Sequence, residues 1–433
     1  MERYLPVGIV GAAGGSGRTL SPRPDAHTLP APAPPGQRNT VDLTALRADT
    51  LGCEHRVHLN NAGASLMARP VVDAVIGHFE LETRIGGYEA EAEARDRIDE
   101  SRAFLATLLG TTGDRVAFMP HATAAFATAL SSVDLAKGDV IATTRSDYVS
   151  NQIAYLSLQH RYGVEVVRAQ DAPEGGVDLG DMEKIIHRRR PKLVAVTHAP
   201  SNSGLIQDVA RVGAMCRAKD IIYAVDACQS VGQMPVDVEA IGCDFLSGTA
   251  RKYLRGPRGV GFLYVSDRVL DAGLEPLIPD MRGADWIAQD LYQPSPDARR
   301  FESWEFAWGL VLGMGAAARY ASALGLEPIR DRARKLAADL RERLAEIDSV
   351  TVLDRGPELG ATVSIWVAGQ SPAHLVKELR RRGINTTSQT AVDAVIDYGA
   401  KGVDGALRIS PHYYNLESEL VLLIEALSEI IGA

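Results

Sequence analysis

Short apolar runs rich in β-branched residues alternate with helical patterns through the first two thirds of this 433-residue chain. Strands that alternate with helices favour a mainly parallel sheet covered by helices on both faces. The chain is therefore predicted to be an α/β protein, and it is long enough to bury a large core. The predicted helices cover 70–78, 92–109, 122–131, 151–161, 179–189 and 208–218, and the main intervening strands cover 116–119, 139–143, 193–197 and 221–225.

An acid and a lysine lie where two of these strands end. Asp226 follows the apolar run 221–225, and Lys252 comes 26 positions later, in a polar connection between the predicted strands 243–246 and 259–265. Ligands of open α/β sheets bind at the carboxyl ends of strands. Taken alone, an Asp after a strand is most often a helix cap, and a lysine in a loop is most often solvated.

Taken together, the two residues suit pyridoxal phosphate, a cofactor that acts as an electron sink and that the protein must hold and tune. A lysine amine carries this cofactor covalently, and an ionised carboxylate against the ring nitrogen keeps that nitrogen protonated. Lys252 and Asp226 are predicted to fill these two roles. The chain is therefore predicted to be an enzyme with pyridoxal 5'-phosphate as its cofactor.

The sequence around these residues resembles a known family. Asp-x-x-Gln from Asp226 to Gln229, followed by Lys252 and the pattern Gly-Pro-x-Gly-x-Gly-Phe-Leu at 256–263, is similar to the class V aminotransferases. This fold-type I group includes cysteine desulfurases, isopenicillin N epimerase-like proteins and several carbon–sulfur lyases. The resemblance runs from about His58 to Asn415 and implies the fold of a fold-type I pyridoxal phosphate-dependent transferase. That fold has a large domain with a mainly parallel seven-stranded sheet and a smaller C-terminal α+β domain.

Three parts of the chain are predicted. Residues 1–40 are rich in Pro, Gly and Ala and are expected to form a flexible tail. Residues 41–300 are assigned to the large cofactor-binding domain and residues 301–433 to the small C-terminal domain. A glycine-rich stretch at 11–19 departs from strict phosphate-loop spacing and runs into prolines, so no nucleotide site is predicted there.

The resemblance implies a phosphate-binding set. Ala122 and Thr123 match a turn that opens a helix, where backbone amides and a hydroxyl suit a dianion. Thr249 and Arg251 match positions that reach the phosphate, and a guanidinium fork suits that ligand.

The resemblance also implies how the cofactor ring is held. Tyr148 matches the aromatic residue that stacks on the ring, and Gln229 matches the residue that hydrogen-bonds its phenolic oxygen. Lys252 would serve as the general base at the substrate α-carbon, because burial and a cationic neighbour lower a lysine pKa towards the working pH.

The substrate is predicted to be an amino acid. Arg408 matches the arginine that pairs with the α-carboxylate of the substrate, and Asn61 and Asn202 are further candidates for substrate contact, with Ser201 competing with Asn202.

Two aromatic residues lie in segments that resemble the epimerase-like and carbon–sulfur lyase branches. Tyr88, next to Gly86-Gly87, and Trp304, before an apolar helix, are expected to shape the substrate site or to approach that of a partner subunit. The alternative for Trp304 is a packed aromatic at a domain joint.

Cysteine usage bears on the reaction. The chain has four cysteines without paired spacing, so no metal site is predicted. A cysteine desulfurase needs a nucleophilic thiolate in its C-terminal substrate loop, and the matching segment 384–390 has none. Cys228 and Cys243 are interpreted as small buried residues. Desulfurase activity is therefore disfavoured at this stage.

The favoured reaction is carbon–sulfur β-elimination from an S-substituted cysteine or its sulfoxide, in specialised metabolism. The 86–88 and 408–415 segments are similar to those of ergothioneine- and lincosamide-pathway carbon–sulfur lyases. Alternatives are an aminotransferase, an epimerase or a decarboxylating oxidative deaminase. A catalytically idle relative is disfavoured because Lys252 and Asp226 are both present.

Charge and hydropathy bear on partners. A net charge of −9 argues against nucleic acid as the main partner. No apolar run approaches the roughly 20 residues of a membrane span, so a cytoplasmic protein is expected. The resemblance implies a homodimer with shared active sites.

Overall fold

The computed structural model of the protein describes residues 42–432. The predicted tail at 1–40 and the glycine-rich stretch within it lie outside this range. The helices are α1 Leu43–Ala48, α2 Arg69–Ile85, α3 Gly87–Glu93, α4 Arg95–Leu109, α5 Ala122–Ser131, α6 Val149–Tyr162, α7 Leu179–Arg189, α8 Val209–Arg217, α9 Val238–Ile241, α10 Asp267–Asp271, α11 Trp308–Leu324, α12 Leu326–Ala345, α13 Pro372–Arg381, α14 Val395–Lys401 and α15 Glu417–Ile431. The strands are β1 Val57–His58, β2 Val116–Met119, β3 Val140–Thr144, β4 Glu165–Ala169, β5 Leu193–Thr197, β6 Ile222–Asp226, β7 Phe245–Thr249, β8 Gly261–Val265, β9 Ala284–Ala288, β10 Leu291–Pro294, β11 Val350–Val352, β12 Val363–Val367, β13 Ile384–Asn385, β14 Thr387–Thr390 and β15 Gly405–Ile409.

A seven-stranded sheet forms the centre of the larger part, with the order β2-β8-β7-β6-β5-β3-β4. Only β8 runs antiparallel to its neighbours. Every residue of β3 and β5 is buried, as expected for strands that helices cover on both faces. The prediction of an α/β fold with a mainly parallel seven-stranded sheet is confirmed.

Helices cover both faces of this sheet. On one face, α11 packs against α2 and α4 within the main apolar core. On the other face, Phe126 of α5 and Tyr155 of α6 pack edge to face in a second apolar cluster. The sheet is thereby fixed between two rigid layers, and its strand ends form a stable edge on which a site can be built.

A four-stranded antiparallel sheet, β11-β12-β15-β14, organises the C-terminal part. Helices α12, α13 and α15 contribute Leu336, Leu379 and Leu423 to its apolar core. The short strand β1 pairs in parallel with β13, so the start of the described chain joins this smaller layer. Helix α11 packs on the large-domain helices, and the boundary at residue 300 stays a prediction.

Two local predictions differ from the structure. The helix predicted over 92–109 is broken at the fully buried Ala94, which ends α3 and begins α4. Gly86, expected in a loop, is a junction between α2 and α3 with a φ of 99°, a region that favours glycine.

The helices of residues 42–432 can be compared with the length and apolarity that a membrane span needs. No single helix there combines the length and apolarity of a span; α11 and α12 meet the test only as a pair, which is bent by 84°.

Candidate cofactor and substrate site

Polar side chains gather where the strands of the large sheet end. Asp226, Thr249 and Thr197 are the last residues of β6, β7 and β5. The carboxyl ends of parallel strands share one edge of a sheet, so these residues lie side by side. Lys252 follows β7 by three residues in the connection to β8.

The Asp226 carboxylate is buried and fixed on both oxygens. Oδ1 accepts a hydrogen bond from the backbone N–H of Cys228 at 2.9 Å, and Oδ2 accepts one from the Asn151 side-chain amide at 3.0 Å. Both partners are donors, which suits the ionised form of the acid. Asp226 thus presents a fixed negative charge at the sheet edge.

Lys252 is buried beside an aromatic ring. Its Nζ lies 5.7 Å from the centroid of the Tyr148 ring. Burial lowers the Lys252 pKa below its ordinary value, and Arg251 and Arg408 lower it further, while Cys228 and Asp226 act in the opposite direction. The amine therefore loses its proton more readily than an exposed lysine does.

The connection that carries Lys252 is anchored by Arg255. This buried residue has a φ of 63°, and its guanidinium donates to the Thr50 hydroxyl at 2.6 Å, the Leu66 carbonyl at 2.9 Å and the Tyr413 hydroxyl at 2.5 Å. These acceptors come from both ends of the described chain. The Lys252 connection is consequently held by distant segments as well as by its own strands.

Buried polar atoms without partners allow a test of whether pyridoxal phosphate fits. Gln229 donates to the Ala62 carbonyl at 3.1 Å, but its Oε1 is buried without a hydrogen-bond partner among the described residues. The same holds for the Ser247 hydroxyl and Arg408 Nε. Buried polar groups are normally paired, so these atoms point to a polar ligand. With an amine, a carboxylate and an aromatic ring nearby, the residues fit the cofactor.

The predicted phosphate end is built on the start of α5. The helix begins at Ala122, and its cap, His121, accepts from the Ala124 N–H at 3.0 Å. The amides of Ala122 and Thr123 have no acceptor within the helix. A Cβ at Gly261 would come within 3.0 Å of the Ala122 nitrogen, so glycine lets β8 approach this turn closely.

Thr249 and Arg251 also line this end. The Thr249 hydroxyl points to the Val260 carbonyl at 3.5 Å, and Arg251 donates to the Gly63 carbonyl. Burial lowers the pKa of Arg251, and the Arg258 charge adds to that effect. The phosphate contacts of both residues stay a prediction.

The substrate candidates fall into two groups. Arg408, on β15 of the small sheet, is buried, donates to the Ser201 carbonyl at 2.8 Å and lies near enough to Lys252 to lower its pKa. Asn202 is tied to α14, because its amide donates to Asp397 at 2.7 Å. These residues bring the two sheets together at one cleft.

Three other candidates lie differently. Asn61 is fully buried: its amide donates to the Ser410 carbonyl at 2.7 Å and its oxygen accepts from the Tyr414 hydroxyl at 2.5 Å, and its contact with the substrate stays a prediction. Tyr88 is 73% exposed on α3 rather than in the cleft. Trp304 is 40% exposed and lies on Arg282 at 5.0 Å, so its role at a substrate site and the alternative of a packed aromatic both stay predictions.

Sequence reasoning missed Asp147 and Asn151. Asp147 follows an apolar strand, the same pattern that identified Asp226, and it is buried. Asn151 donates to both carboxylates, at 3.2 Å to Asp147 and 3.0 Å to Asp226. The acid-after-strand signal was present for Asp147, whereas the Asn151 bridge depends on tertiary contact.

Cys228 lies beside Asp226, but its chemistry is that of a protected thiol. Burial raises its pKa well above the ordinary value, and the Asp226 charge raises it further. Because the thiolate is the nucleophile, this cysteine is poorly reactive.

Comparisons with known proteins identify the family. The model of the aminotransferase class-V family matches residues 57–423. A probable cysteine desulfurase of Methanothermobacter thermautotrophicus is 29% identical over 394 residues, which cover 89% of this chain and 98% of the relative. The apo structure of a cysteine desulfurase from Thermococcus onnurineus NA1 matches with a TM-score of 0.83 at 26% identity, over 90% of this chain and 98% of that one.

A further solved structure concerns the cofactor. A C-DES variant with glycine covalently linked to pyridoxal phosphate matches with a TM-score of 0.79 at 19% identity, over 88% of this chain and 99% of that one, and supports the fold. Together with the family match, these likenesses show that the cofactor is pyridoxal phosphate.

The comparisons overturn the favoured reaction. The sequence favours carbon–sulfur β-elimination from an S-substituted cysteine over desulfurase activity, yet the relatives are named probable cysteine desulfurases and the Thermococcus onnurineus NA1 structure is that of a cysteine desulfurase. The preference for elimination depends on the 86–88 and 408–415 segments, and the case against a desulfurase depends on the absence of cysteine from 384–390. Similarity over nine tenths of the chain outweighs that local difference.

Proposed function

This chain belongs to the class-V aminotransferase family, and from that membership we propose that it is a cysteine desulfurase-type enzyme, which removes the sulfur atom of L-cysteine. Support comes from two relatives that are named probable cysteine desulfurases. The similarity to this chain covers nearly the whole length of each of them. The observation that carries the proposal is the position of Arg408, which is near enough to Lys252 to influence its charge. A carboxylate anchor and a basic amine in one cleft suit chemistry at the α-carbon of an amino acid.

Each residue has a proposed task in this reaction. Arg408 binds the α-carboxylate of cysteine in a two-pronged contact. Lys252 holds and moves the proton at the α-carbon with its Nζ, which its lowered pKa favours. Tyr148 covers the cofactor and restricts the orientation of the substrate. Bound at Asp226 and Lys252, pyridoxal phosphate supplies the electron sink.

The sulfur needs an acceptor thiol. The acceptor thiol reacts with cysteine and takes its sulfur atom, which gives alanine and the persulfide of the acceptor. The carbon–sulfur bond of cysteine breaks, a sulfur–sulfur bond forms, and the proton that the β-carbon of alanine gains balances the proton that the acceptor thiol loses. The segment that forms β13 and β14 has no cysteine, and the pKa of the partly exposed Cys228 thiol is raised well above its ordinary value by desolvation and by the Asp226 charge. We therefore infer that the acceptor is a thiol outside this chain, either a small molecule or a cysteine of a partner protein.

The test is product analysis. Cofactor-loaded enzyme with L-cysteine and excess dithiothreitol should release alanine and sulfide in equal amounts, and Lys252→Ala should release both at least about 100-fold more slowly. Lys192→Ala, at the partly exposed Lys192–Asp139 ion pair, is the matched control and should retain activity. Pyruvate and ammonia in place of alanine, or turnover that requires a keto acid, would contradict the proposal.

We also infer that two copies assemble into a homodimer. Large apolar side chains are exposed over 277–292, around the β9–β10 hairpin: Leu277, Ile278, Met281, Trp286, Ile287, Leu291 and Tyr292. Large apolar side chains exposed together in one segment are typical of an interaction site. A second copy of the chain is the occupant that the family resemblance favours.

A further inference from the structure

A second buried acid lies behind Asp226. Asp147 is buried just beyond the carboxyl end of β3 and directly before Tyr148. Its carboxylate accepts hydrogen bonds from donors on three parts of the sheet edge. The donors are the backbone N–H of Tyr148 at 2.6 Å, the Asn151 amide at 3.2 Å, the Thr143 hydroxyl at 2.9 Å, the Gln152 amide at 3.1 Å and the Thr197 hydroxyl.

The donor set indicates the charge of Asp147. The Tyr148 N–H and the Asn151 and Gln152 amides can only donate to the carboxylate, whereas the Thr143 and Thr197 hydroxyls can donate or accept. Burial is the largest effect and places the Asp147 pKa above its ordinary value; the neighbouring Asp226 charge also raises it, while the hydrogen bonds from Thr197, Asn151 and Thr143 lower it without cancelling the rise. Tyr155, the other titratable group facing it, has its pKa raised well above the ordinary value by burial and stays a neutral phenol. The geometry favours an ionised Asp147.

One side-chain amide connects the two acids. The Asn151 nitrogen donates to Asp147 Oδ1 at 3.2 Å and to Asp226 Oδ2 at 3.0 Å, so each amide hydrogen serves one carboxylate. The orientation of Asn151 is therefore set from both sides. A shift of Asp147 would move the hydrogen bond that Asp226 receives.

Stability alone explains this arrangement poorly. A buried carboxylate without a cationic partner costs desolvation energy, and an apolar or neutral polar residue of similar size often serves a core better. Asp147 also has its backbone neighbour, Tyr148, on the ring side of the cleft. Asp147 thus lies where it affects both Asp226 and Tyr148, the two residues predicted to contact the cofactor ring.

We infer that Asp147 is a positioning residue for the cofactor site, which fixes Asp226 through the Asn151 amide and Tyr148 through its backbone N–H. Its negative charge also lies one amide away from Asp226 and adds to the potential that favours a protonated cofactor ring. The inference concerns cofactor binding and holds for any reaction of the bound cofactor.

The experiment uses full-length protein loaded with pyridoxal phosphate and two readouts that do not depend on turnover. These are the cofactor dissociation constant and the pH midpoint at which the visible absorption band of the lysine-bound cofactor changes. Asp147→Asn removes the charge, and Asn151→Leu removes the link while the carboxylate remains. The matched control is Asp244→Asn, because Asp244 is a buried acid that accepts from the Tyr223 N–H at 2.8 Å at the opposite end of the sheet.

Both test variants should raise the dissociation constant by about tenfold. Asp147→Asn should move the pH midpoint downward because less negative charge disfavours the protonated cofactor, and Asn151→Leu should move it the same way because Asp226 loses the amide that orients its charge. The double variant should be little worse than Asn151→Leu alone, since residues that act through one link are not additive. Asp244→Asn should lower the melting temperature without moving the midpoint.

The inference is overturned if Asp147→Asn lowers the melting temperature as Asp244→Asn does while the midpoint and the dissociation constant stay at wild-type values. If Asp147→Asn does not fold, Asn151→Leu decides: an unchanged midpoint in that variant rejects the link. Fully additive effects in the double variant would equally reject it.

Discussion

At the scale of single residues, the burial of Lys252 sets its chemistry. Its lowered pKa makes the neutral amine available at a lower pH than for an exposed lysine. Lys252→Ala should lower turnover by about 10²- to 10⁴-fold, the usual contribution of a positioned acid or base. Chemical rescue by added methylamine should restore part of the rate, and a variant with unchanged turnover would remove Lys252 from the reaction.

Arg408 belongs to the same scale. Its Nε is buried without a partner among the described residues, so the guanidinium has a free donor for a substrate carboxylate. Arg408→Lys should raise KM for the amino acid by about 10- to 100-fold with a smaller change in kcat, because an ammonium cannot make the two-pronged contact. Arg332→Lys, whose side chain pairs with Glu417, is the control and should leave KM unchanged.

His412 gives the chain an acid-sensitive point. Its Nε2 contacts the Tyr253 carbonyl at 2.8 Å, its Nδ1 has no partner, and burial together with the Arg255 charge lowers its pKa to about 3. The folded state therefore binds fewer protons than the unfolded state between pH 3 and the ordinary histidine value near 6.5. The contribution of His412 to the free energy of unfolding is therefore complete above pH 6.5. Below pH 6.5 the free energy of unfolding should fall by about 1 kcal/mol per pH unit. Urea unfolding of wild type and His412→Gln between pH 7 and 5 measures this, and parallel curves would contradict it.

At the scale of elements, glycine decides how closely helices approach. Gly213 lies within α8, where a Cβ would overlap the Ile241 carbonyl oxygen of α9, whereas a Cβ on Gly77 of α2 would meet nothing within 4 Å. Gly213→Ala should lower the free energy of unfolding by about 1–3 kcal/mol through overpacking. Gly77→Ala should raise it by up to about 1 kcal/mol, because glycine weakens helix interiors. Denaturant unfolding of the two variants measures both changes in the free energy of unfolding. Equal effects would show that α8 can move away from α9 and make room for the added methyl group.

Elements and site residues differ in how far the sequence predicts them. The β5 strand and the starts of α5 and α7 agree with their patterns to the residue, because a buried apolar run or a helix cap acts locally. The break at Ala94 has no glycine or proline to signal it. The Asn151 bridge and the Arg255 anchor join residues far apart in sequence, so local patterns carry no information about them.

The wrong choice of reaction has a similar origin at the scale of the whole molecule. The prediction depends on three short segments: 86–88 and 408–415, which are similar to those of carbon–sulfur lyases, and 384–390, which has no cysteine. Reaction type in this family depends on the assembly of a cleft from two sheets, and Arg408 and Lys252 reach that cleft from separate sheets. A cysteine missing from one loop therefore leaves most of the site unchanged.

The exposed apolar surface around the β9–β10 hairpin leads to a prediction for the whole molecule. Ile278 is 82% exposed, and a charge at this position would oppose burial between two copies. Ile278→Asp should shift the molar mass in light scattering from dimer towards monomer at micromolar concentration. Val269→Ala, in the core, is expected to lower stability and leave the assembly state unchanged; a dimer that persists in Ile278→Asp would place the interface elsewhere.

The Arg255 anchor also governs the order in which the site is completed during synthesis. The segment with Lys252 and Arg255 leaves the ribosome well before Tyr413, which lies 158 residues after Arg255 and whose hydroxyl accepts from the Arg255 guanidinium. Until that segment has emerged, the connection carrying the lysine lacks one of its three acceptors. Nascent chains should therefore acquire the cofactor only near termination, and a truncation before Tyr413 should leave a large, nearly complete sheet that binds it weakly.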